Sequence, residues 1–284
     1  MSDTSTIEWT EATWNPVTGC TRISPGCAHC YIERTMPFRI QGRRFSGPQI
    51  GASTDVLQHP ERLSAPLRWR RPRRVFVNSL SDLFHRDVPD QFIADVFTTM
   101  ARTPQHTYQL LTKRPGRMRS LLRTDWLRDQ VAAATGRDAW PLRNLWLGVS
   151  CEDQDRARLR IPLLLGTPAW IRWVSCEPLL GPVDLNHANR DALGADGLDW
   201  LVVGGESGPG ARQIDPDWVR ALRDQCAAAP RTAFFFKQWG GRHAKAGGRE
   251  LDGRTWDEYP AAAPDLPQPR TVVPTEALQC RSGG

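Results

Sequence analysis

The chain has 284 residues, of which 40% are hydrophobic, and it carries a formal net charge of +6 at pH 7. No apolar run approaches the ~20 residues of a membrane-spanning helix, and the N-terminus lacks the basic-then-apolar order of a signal peptide. We therefore expect a cytoplasmic protein with no membrane partner. Its seven cysteines are odd in number and unevenly clustered, which argues against a disulfide framework and for metal or redox use.

The length fits one large domain followed by a tail. Residues 1–259 are predicted to form a single barrel-like catalytic domain, since a barrel needs about 250 residues. Residues 260–284 are rich in proline, alanine and polar residues and have no helix or strand period, so a disordered C-terminal tail is predicted there. Cys280 within this tail is expected to be a free thiol.

A turn-rich loop, residues 18–31, carries three of the cysteines. Cys20, Cys27 and Cys30 have the spacing C-x6-C-x2-C, and the Pro25-Gly26 turn can fold the first cysteine back beside the other two. Three thiolates would then face one point. The sequence predicts a metal centre in this loop.

The spacing leaves the identity of the metal open. A structural zinc ion needs four closed ligands, for which His29 or a distant cysteine would serve as the fourth. A four-iron cluster held by only three cysteines would instead keep one iron open to bind a small molecule. Thiols without any metal are the third interpretation.

Short apolar runs alternate with helical patterns along the rest of the chain. Strands are predicted at residues 12–17, 74–78, 107–112, 144–149, 170–174, 200–203 and 233–236. Helices are predicted at residues 28–36, 56–69, 89–100, 115–122, 153–165 and 215–228, the second of these interrupted near Pro60 and Pro66.

Continuous apolar strands between helices are typical of a parallel sheet covered on both faces. The sequence therefore predicts an α/β fold with parallel strands, forming a partial or full (β/α) barrel. A doubly wound open sheet is the alternative. The barrel is favoured because nearly every strand ends in polar residues, and barrel enzymes build their sites at these carboxyl ends.

The polar residues at the strand ends supply the remaining candidates. Glu152, Glu177 and Glu206 follow three successive strands and would repel one another unless cations or a ligand offset them, so they suggest a binding site. Lys113 and Lys237 are the expected neighbours, and these five residues form the predicted catalytic set. The predicted cofactor-binding set consists of His29, Asn78, Ser79, Asp82 and Ser150.

Two arginine-rich segments account for much of the positive charge. Arg34, Arg39, Arg43 and Arg44 follow the cysteine loop. The second segment surrounds Trp69 and Pro72 and contains Arg68, Arg70, Arg71, Arg73 and Arg74. Arginines interleaved with an aromatic residue can hold a phosphate backbone and stack on a base, so this second segment is the predicted nucleic-acid contact. A solvated basic surface is the alternative.

Six stretches of the chain carry a family resemblance. They are IEWTEATWNPVTGC (7–20), NSLSDLFH (78–85), LTKRP (111–115), SCEPLLGP (175–182), VGGESG (203–208) and FKQWGG (236–241). On these stretches the chain resembles the phage-associated three-cysteine-motif family of unknown function, which is labelled by phage gene-product numbers thirty-seven and sixty-eight. The resemblance covers most of residues 7–259.

That family in turn resembles radical S-adenosylmethionine enzymes, which are partial barrels with a three-cysteine loop after the first strand. The resemblance implies that Cys20, Cys27 and Cys30 hold a 4Fe-4S cluster and that His29 lies beside the adenine of S-adenosylmethionine. Two departures are visible. The loop is C-x6-C-x2-C where the usual spacing is C-x3-C-x2-C, and residues 79–82 read Ser-Leu-Ser-Asp where Gly-Gly-Glu is usual.

Two hypotheses follow. The first is an iron-sulfur enzyme that cleaves S-adenosylmethionine to a 5'-deoxyadenosyl radical, with electrons from a reductase or another donor and a substrate that the sequence does not reveal. The second is a zinc-stabilised nucleic-acid-binding or phage-related interaction protein without catalysis.

Overall fold

The computed structural model describes residues 5–138, 140–243 and 245–261. The strands are β1 (Ala12–Trp14), β2 (Val17–Thr18), β3 (Leu57–Gln58), β4 (Arg74–Val77), β5 (Thr107–Thr112), β6 (Leu145–Ser150), β7 (Ile171–Cys176), β8 (Trp200–Gly204), β9 (Ala233–Gln238), β10 (Glu250–Leu251) and β11 (Arg254–Thr255). The α-helices are α1 (Met36–Ile40), α2 (Asp90–Arg102), α3 (Pro115–Leu122), α4 (Asp125–Thr135), α5 (Gln154–Leu165), α6 (Leu185–Ala188) and α7 (Pro216–Ala228).

Seven parallel strands form the central sheet, in the order β1-β4-β5-β6-β7-β8-β9. All six pairs of neighbours are parallel, and the register places Ser150 beside Ser175 at the ends of β6 and β7. The sheet is curled into a half-barrel flanked by helices. This confirms the predicted α/β fold with a partial barrel. Because all seven strands run the same way, their carboxyl ends meet at one edge, the C-terminal rim.

The outer face of the sheet holds most of the core. Side chains alternate between the two faces of a strand, and residues such as Val75, Leu147 and Leu201 pack under the helices. Helix α2 contributes Val96 and Phe97 to this layer, both fully buried. Apolar cover on this face is what a parallel sheet requires, since its strands are buried on both sides.

The inner face is lined by aromatic residues that meet around Trp9. The ring of Trp9 lies 4.7 Å from that of Phe76 on β4 and 6.0 Å from that of Trp200 on β8, measured between centroids. Three strands separate β4 from β8 in the sheet order. One indole can contact both only because the sheet curls around it. Trp9 thus fills the half-barrel away from the C-terminal rim.

Most predicted elements agree with the structure to within one to three residues, and β5 has the predicted bounds. The helix predicted at residues 56–69 is wrong. The structure has β3 there and two short 3-10 helices, Pro60–Arg62 and Pro66–Arg68, because each proline removes an amide hydrogen that an α-helix needs. The helix predicted at residues 28–36 is likewise replaced by a 3-10 helix, Tyr31–Arg34, and then α1.

Helix α4 was not among the predicted elements. Thr124 caps it by accepting a hydrogen bond from the amide of Leu127, and it ends at Gly136 with a positive φ of 70°. No helix in the described ranges is long and apolar enough to cross a membrane. The predicted tail falls outside the described residues from residue 262 onward, and Cys280 with it.

Candidate functional site

The cysteine loop lies over the C-terminal rim at the end of β4. The amide of Gly19 donates to the carbonyl of Leu80 at 3.0 Å, and the amide of Cys20 donates to the hydroxyl of Thr54, also at 3.0 Å. Further along, the Thr21 hydroxyl lies 2.7 Å from Nε2 of His85. The start of the loop is therefore fastened both to the segment that follows β4, through Leu80 and His85, and to Thr54, which precedes that strand.

The three cysteines of the loop lie in one neighbourhood and form no disulfide. Cys20 and Cys30 both pack against one small apolar cluster. Its members are Ile32, Phe38, Phe45, Ala52 and Leu80. The charge of Cys27 acts on the pKa of both other thiols, so it lies close to each of them. The loop therefore gathers its thiols, although the sequence separates the first from the second by six residues.

Burial keeps two of these thiols protonated in the structure as it stands. It raises the pKa of Cys20 to about 12, although the guanidinium of Arg114 lies 3.6 Å from the sulfur and acts in the opposite direction. Burial also raises the pKa of Cys30, against the influence of Lys113 and Arg22. Thiols bind metals as thiolates, so a cationic centre would supply the charge that these two lack.

The other candidate ligands point elsewhere. Nδ1 of His29 lies 2.8 Å from the carboxylate of Glu206, while Cys151 and Cys176 are fully buried in the core on the outer face of the sheet. Within the described ranges, no group of three or more histidine, cysteine or acidic side chains has the arrangement of a site for a metal ion. The loop thus brings the three thiols into a shared neighbourhood, but within the described residues they do not converge as a three-ligand site on one point, contrary to the prediction from their spacing.

Glu152 joins the cysteine loop to the sheet. Its fully buried carboxylate forms an ion pair of 2.9 Å with Arg160 on α5 and accepts a hydrogen bond of 3.3 Å from the amide of Gly26. Burial alone would raise the pKa of Glu152, but the charges of Lys113 and Arg160 outweigh it and lower that pKa. Glu152 is therefore ionised and holds the loop between Cys20 and Cys27.

Glu206 holds the opposite side of the same loop. Arg212 donates to it from the backbone at 3.0 Å and from the guanidinium at 2.6 Å, and also donates to the carbonyl of Pro25 at 3.1 Å. Burial opposes ionisation, yet hydrogen bonds from Arg212 and His29 lower the pKa of Glu206 to about 2. Glu206 thus contacts the cysteine loop directly at His29, and its partner Arg212 binds the loop at the Pro25 carbonyl.

Glu177 and Lys237 form an ion pair inside the mouth of the half-barrel. Glu177 Oε1 lies 3.0 Å from Nζ of Lys237, and its other oxygen accepts a hydrogen bond of 3.3 Å from the Ser175 hydroxyl. A Cβ atom at Gly204 would lie 2.8 Å from Oε1 of Glu177, so a side chain there would displace this carboxylate from its present position. This pair is the part of the predicted catalytic set that faces the interior.

Asp82 fixes the orientation of Arg114 below Cys20. Its carboxylate accepts hydrogen bonds from the Thr112 hydroxyl at 2.7 Å, the amide of Lys113 at 3.0 Å and the Arg114 guanidinium at 2.9 Å. Burial by itself would raise the pKa of Asp82, but these contacts outweigh burial, so the pKa of this carboxyl is lowered. The Lys113 ammonium forms no ion pair or hydrogen bond with any described residue, and its charge acts on Glu152 and Cys30.

The remaining predicted cofactor contacts lie at the ends of β4 and β6. Asn78 is buried with φ of 60°, a conformation that asparagine tolerates, and its Nδ2 is buried without a hydrogen-bond partner in the described part of the chain. The Ser79 hydroxyl donates to the side chain of Asn15 at 3.2 Å. The Ser150 carbonyl accepts a hydrogen bond of 2.7 Å from Arg160.

The basic segment at residues 68–74 lies at the other end of the molecule. Arg74 begins β4, so it is at the amino end of the sheet, where it pairs with Glu11 at 3.6 Å and covers the ring of Tyr259. Arg70 and Arg71 are exposed. The predicted nucleic-acid contact is therefore remote from the cysteine loop.

Sequence reasoning missed two partners that define the site. Arg160 and Arg212 neutralise Glu152 and Glu206, whereas only lysines were expected to do so. Arg212 follows its partner by six residues, within the loop after β8, and Arg160 lies on the helix after β6. The sequence did contain a signal for both pairs. An arginine follows Glu152 by eight positions and Glu206 by six positions.

Comparison with known proteins identifies the family. A family model described as a protein of unknown function, DUF5131, matches residues 4–260. Neither the curated proteins nor the solved structures include a significant match to this chain.

Proposed function

The chain belongs to DUF5131, a family of unknown function, and we propose that it is a three-cysteine iron-sulfur enzyme of the radical S-adenosylmethionine type. The observation that carries this proposal is the neighbourhood of three free thiols on one loop at the C-terminal rim of a parallel half-barrel. Enzymes with parallel barrels carry out their chemistry at this rim.

The three thiols fit a four-iron cluster with one open iron better than they fit a single metal ion held by four protein ligands. Cys20, Cys27 and Cys30 would each bind a different iron, so their sulfurs need not converge on one atom. The three other candidates for a fourth ligand are directed away or buried on the outer face. The cationic charge of a cluster would also favour the thiolate forms that burial disfavours in Cys20 and Cys30.

When bound, the cluster and S-adenosylmethionine would supply a 5'-deoxyadenosyl radical through reductive cleavage. The protein's own residues position and enclose the reactants. Glu152, Glu206 and Arg212 hold the loop, and the ion pair of Glu177 with Lys237 lies in the mouth of the half-barrel. The Lys113 ammonium and the Nδ2 of Asn78 have no hydrogen-bond or ion-pair partner among the described residues, and both offer donors to an anionic or carbonyl group of a ligand.

The proposal also covers the compartment, the electron donor and the relatives of the protein. We place it in a reducing, cytoplasmic compartment, with a separate electron donor, and relate it to phage-associated three-cysteine proteins. Nucleic-acid binding by residues 68–74 stays a separate prediction, because that segment lies far from the loop. The alternative function is the zinc-stabilised binding protein without catalysis.

Anaerobic reconstitution with iron and sulfide tests the proposal. Wild-type protein should gain the visible absorption of a 4Fe-4S cluster and, with a strong reductant, convert S-adenosylmethionine to 5'-deoxyadenosine. The variants C20A, C27A and C30A should lose the iron. The matched control is C226A, because Cys226 is a buried cysteine on α7 outside the loop, and this variant should keep the iron.

The outcomes separate the alternatives. A colourless protein that holds one zinc ion per chain would support the binding protein instead. An intact cluster that yields no 5'-deoxyadenosine would contradict the radical reaction while leaving the iron-sulfur centre in place.

A further inference from the structure

A groove of about 380 Å³ lies beside the cysteine loop. Its lining residues are Glu33, Arg34, Phe38, Arg39, Gly42, Arg43 and Arg44. They come from the 3-10 helix that follows Cys30, from α1 and from the chain just after α1. The groove therefore lies on the segment that carries the third cysteine of the loop.

Within the described ranges no carboxylate forms an ion pair with the arginines of this groove, although the charge of Asp55 acts on Arg43 from a greater distance. The Arg43 guanidinium donates to the carbonyls of Thr18 and Asp55 and to the Thr18 hydroxyl, all of them neutral oxygens. Its Nε is buried, and no residue that the structure describes accepts a hydrogen bond from it. Arg34 likewise donates to the carbonyls of His29 and Ser207. The guanidinium groups of Arg39 and Arg44 form no ion pair or hydrogen bond with any described residue.

The one acidic residue in the lining is already occupied. Glu33 accepts a hydrogen bond of 2.6 Å from the amide of Phe45 and lies 3.6 Å from the Arg22 guanidinium. Elsewhere on the surface, arginines such as Arg220 and Arg249 pair with aspartates. An excess of unpaired positive charge is therefore concentrated in this concave site, where an anion would offset it.

Exposed apolar side chains lie on the same segment as the groove, outside its lining, and Tyr31 shares a face of its 3-10 helix with Arg34 while its hydroxyl donates to the Ser79 carbonyl. Tyr31 is 47% exposed, and it directly follows Cys30 and begins the same 3-10 helix as Arg34. On α1, Met36 is 62% exposed and Ile40 is 75% exposed. Arginines beside an exposed aromatic ring provide phosphate contacts and a surface on which a base can stack, which is how single strands are bound without sequence preference.

We propose that the groove lined by Arg34, Arg39, Arg43 and Arg44 binds the phosphates of a single-stranded nucleic acid, with a neighbouring base against Tyr31. The inference goes beyond the proposed function, which names no substrate. It identifies the strand that would be presented to the cysteine loop. Residues 68–74 stay a separate prediction, and the groove differs from them in lying beside the cysteine loop.

Titration of full-length protein with short fluorescein-labelled single-stranded DNA and RNA tests the proposal, at several salt concentrations. The variant R39A/R44A removes two exposed, unpaired charges and should weaken binding at least about tenfold at low salt. Its salt slope should fall by about 1.4, since each phosphate contact on a single strand contributes about 0.7. The control R70A/R71A removes the same charge at the amino end of the sheet and should change binding less than about twofold.

Further measurements make the result decisive. The variant R39K/R44K keeps both positive charges and should therefore keep most of the salt dependence of binding. Circular dichroism should show that all variants are folded. Binding by iron-free protein separates this test from the cluster proposal, since neither result depends on the other. The inference would be overturned by absence of binding, by losses as large in R70A/R71A as in R39A/R44A, or by binding to phosphatidylserine vesicles in place of the oligonucleotide.

Discussion

The fully buried carboxylate of Glu152 accepts a hydrogen bond of 3.3 Å from the backbone amide of Gly26. Gly26 lies between Cys20 and Cys27. Glu152 follows β6 and lies 126 positions later in the sequence than Gly26. The ion pair of Glu152 with Arg160 holds the carboxylate in place. The position of the cysteine loop therefore depends on a pair of charges that the loop does not itself contain.

Removing one partner of this buried pair should be strongly destabilising. In E152A the charge of Arg160 stays buried without its carboxylate, so we expect the free energy of unfolding to fall by about 3–5 kcal/mol. Urea denaturation measures this change. The double variant E152A/R160M should recover much of the loss, because the buried charge is removed as well. Equal stability of E152A and E152A/R160M would mean that the pair contributes no coupling.

A methyl group at Gly26 should press on the same carboxylate. The added Cβ would lie 3.1 Å from Cδ of Glu152, which cannot retreat because Arg160 holds it. We expect G26A to lower the free energy of unfolding by about 1 kcal/mol or more. The control is G116A on α3, where an added Cβ meets nothing within 4 Å and should stabilise by about 0.4–1 kcal/mol. Urea denaturation of both variants measures the two changes in unfolding free energy. Equal changes in G26A and G116A would contradict the predicted contact with Glu152.

Trp9 should be essential for the curvature of the sheet. It is 2% exposed and contacts Phe76 and Trp200 across the inner face, so W9A should cost about 3–5 kcal/mol of unfolding free energy. The matched control is W126A, because Trp126 on α4 is 40% exposed. This variant should change the free energy of unfolding by no more than about 0.5 kcal/mol. Thermal unfolding followed by tryptophan fluorescence compares them. A W9A protein as stable as W126A would show that the indole does not hold the half-barrel closed.

The contribution of Asp199 to stability should fall between about pH 4 and pH 6. Burial raises the pKa of Asp199 from 3.8 to about 6, although Arg231 lies 2.7 Å away. A carboxyl whose pKa is raised by folding stabilises the folded state below the pKa of the unfolded chain, and this stabilisation is lost as the pH rises through the raised pKa. The loss amounts to about 2–3 kcal/mol.

The variant D199N isolates this titration. The difference in unfolding free energy between wild type and D199N should shift against the wild type by that amount when the pH rises from 4 to 7. Denaturation at several pH values measures the shift. A difference that stays constant across this range would contradict the raised pKa.

The sequence by itself determined the sheet and the edge that carries the site. Runs such as Trp200 to Val203 are apolar without alternation, and polar residues follow the strands, so local pattern was enough to predict parallel strands with one polar rim. The three cysteines were recognisable for the same reason, since their spacing is a local property.

Only the tertiary structure decided which charges meet. Arg160 reaches Glu152 because α5 packs back on the sheet, and Arg212 reaches Pro25 across 187 positions of sequence. Long-range contacts of this kind depend on how helices and loops pack, which periodicity does not encode. The same holds for the unpaired arginines of the groove: the sequence shows the positive charges, but whether a carboxylate neutralises them depends on which side chains the fold brings within reach.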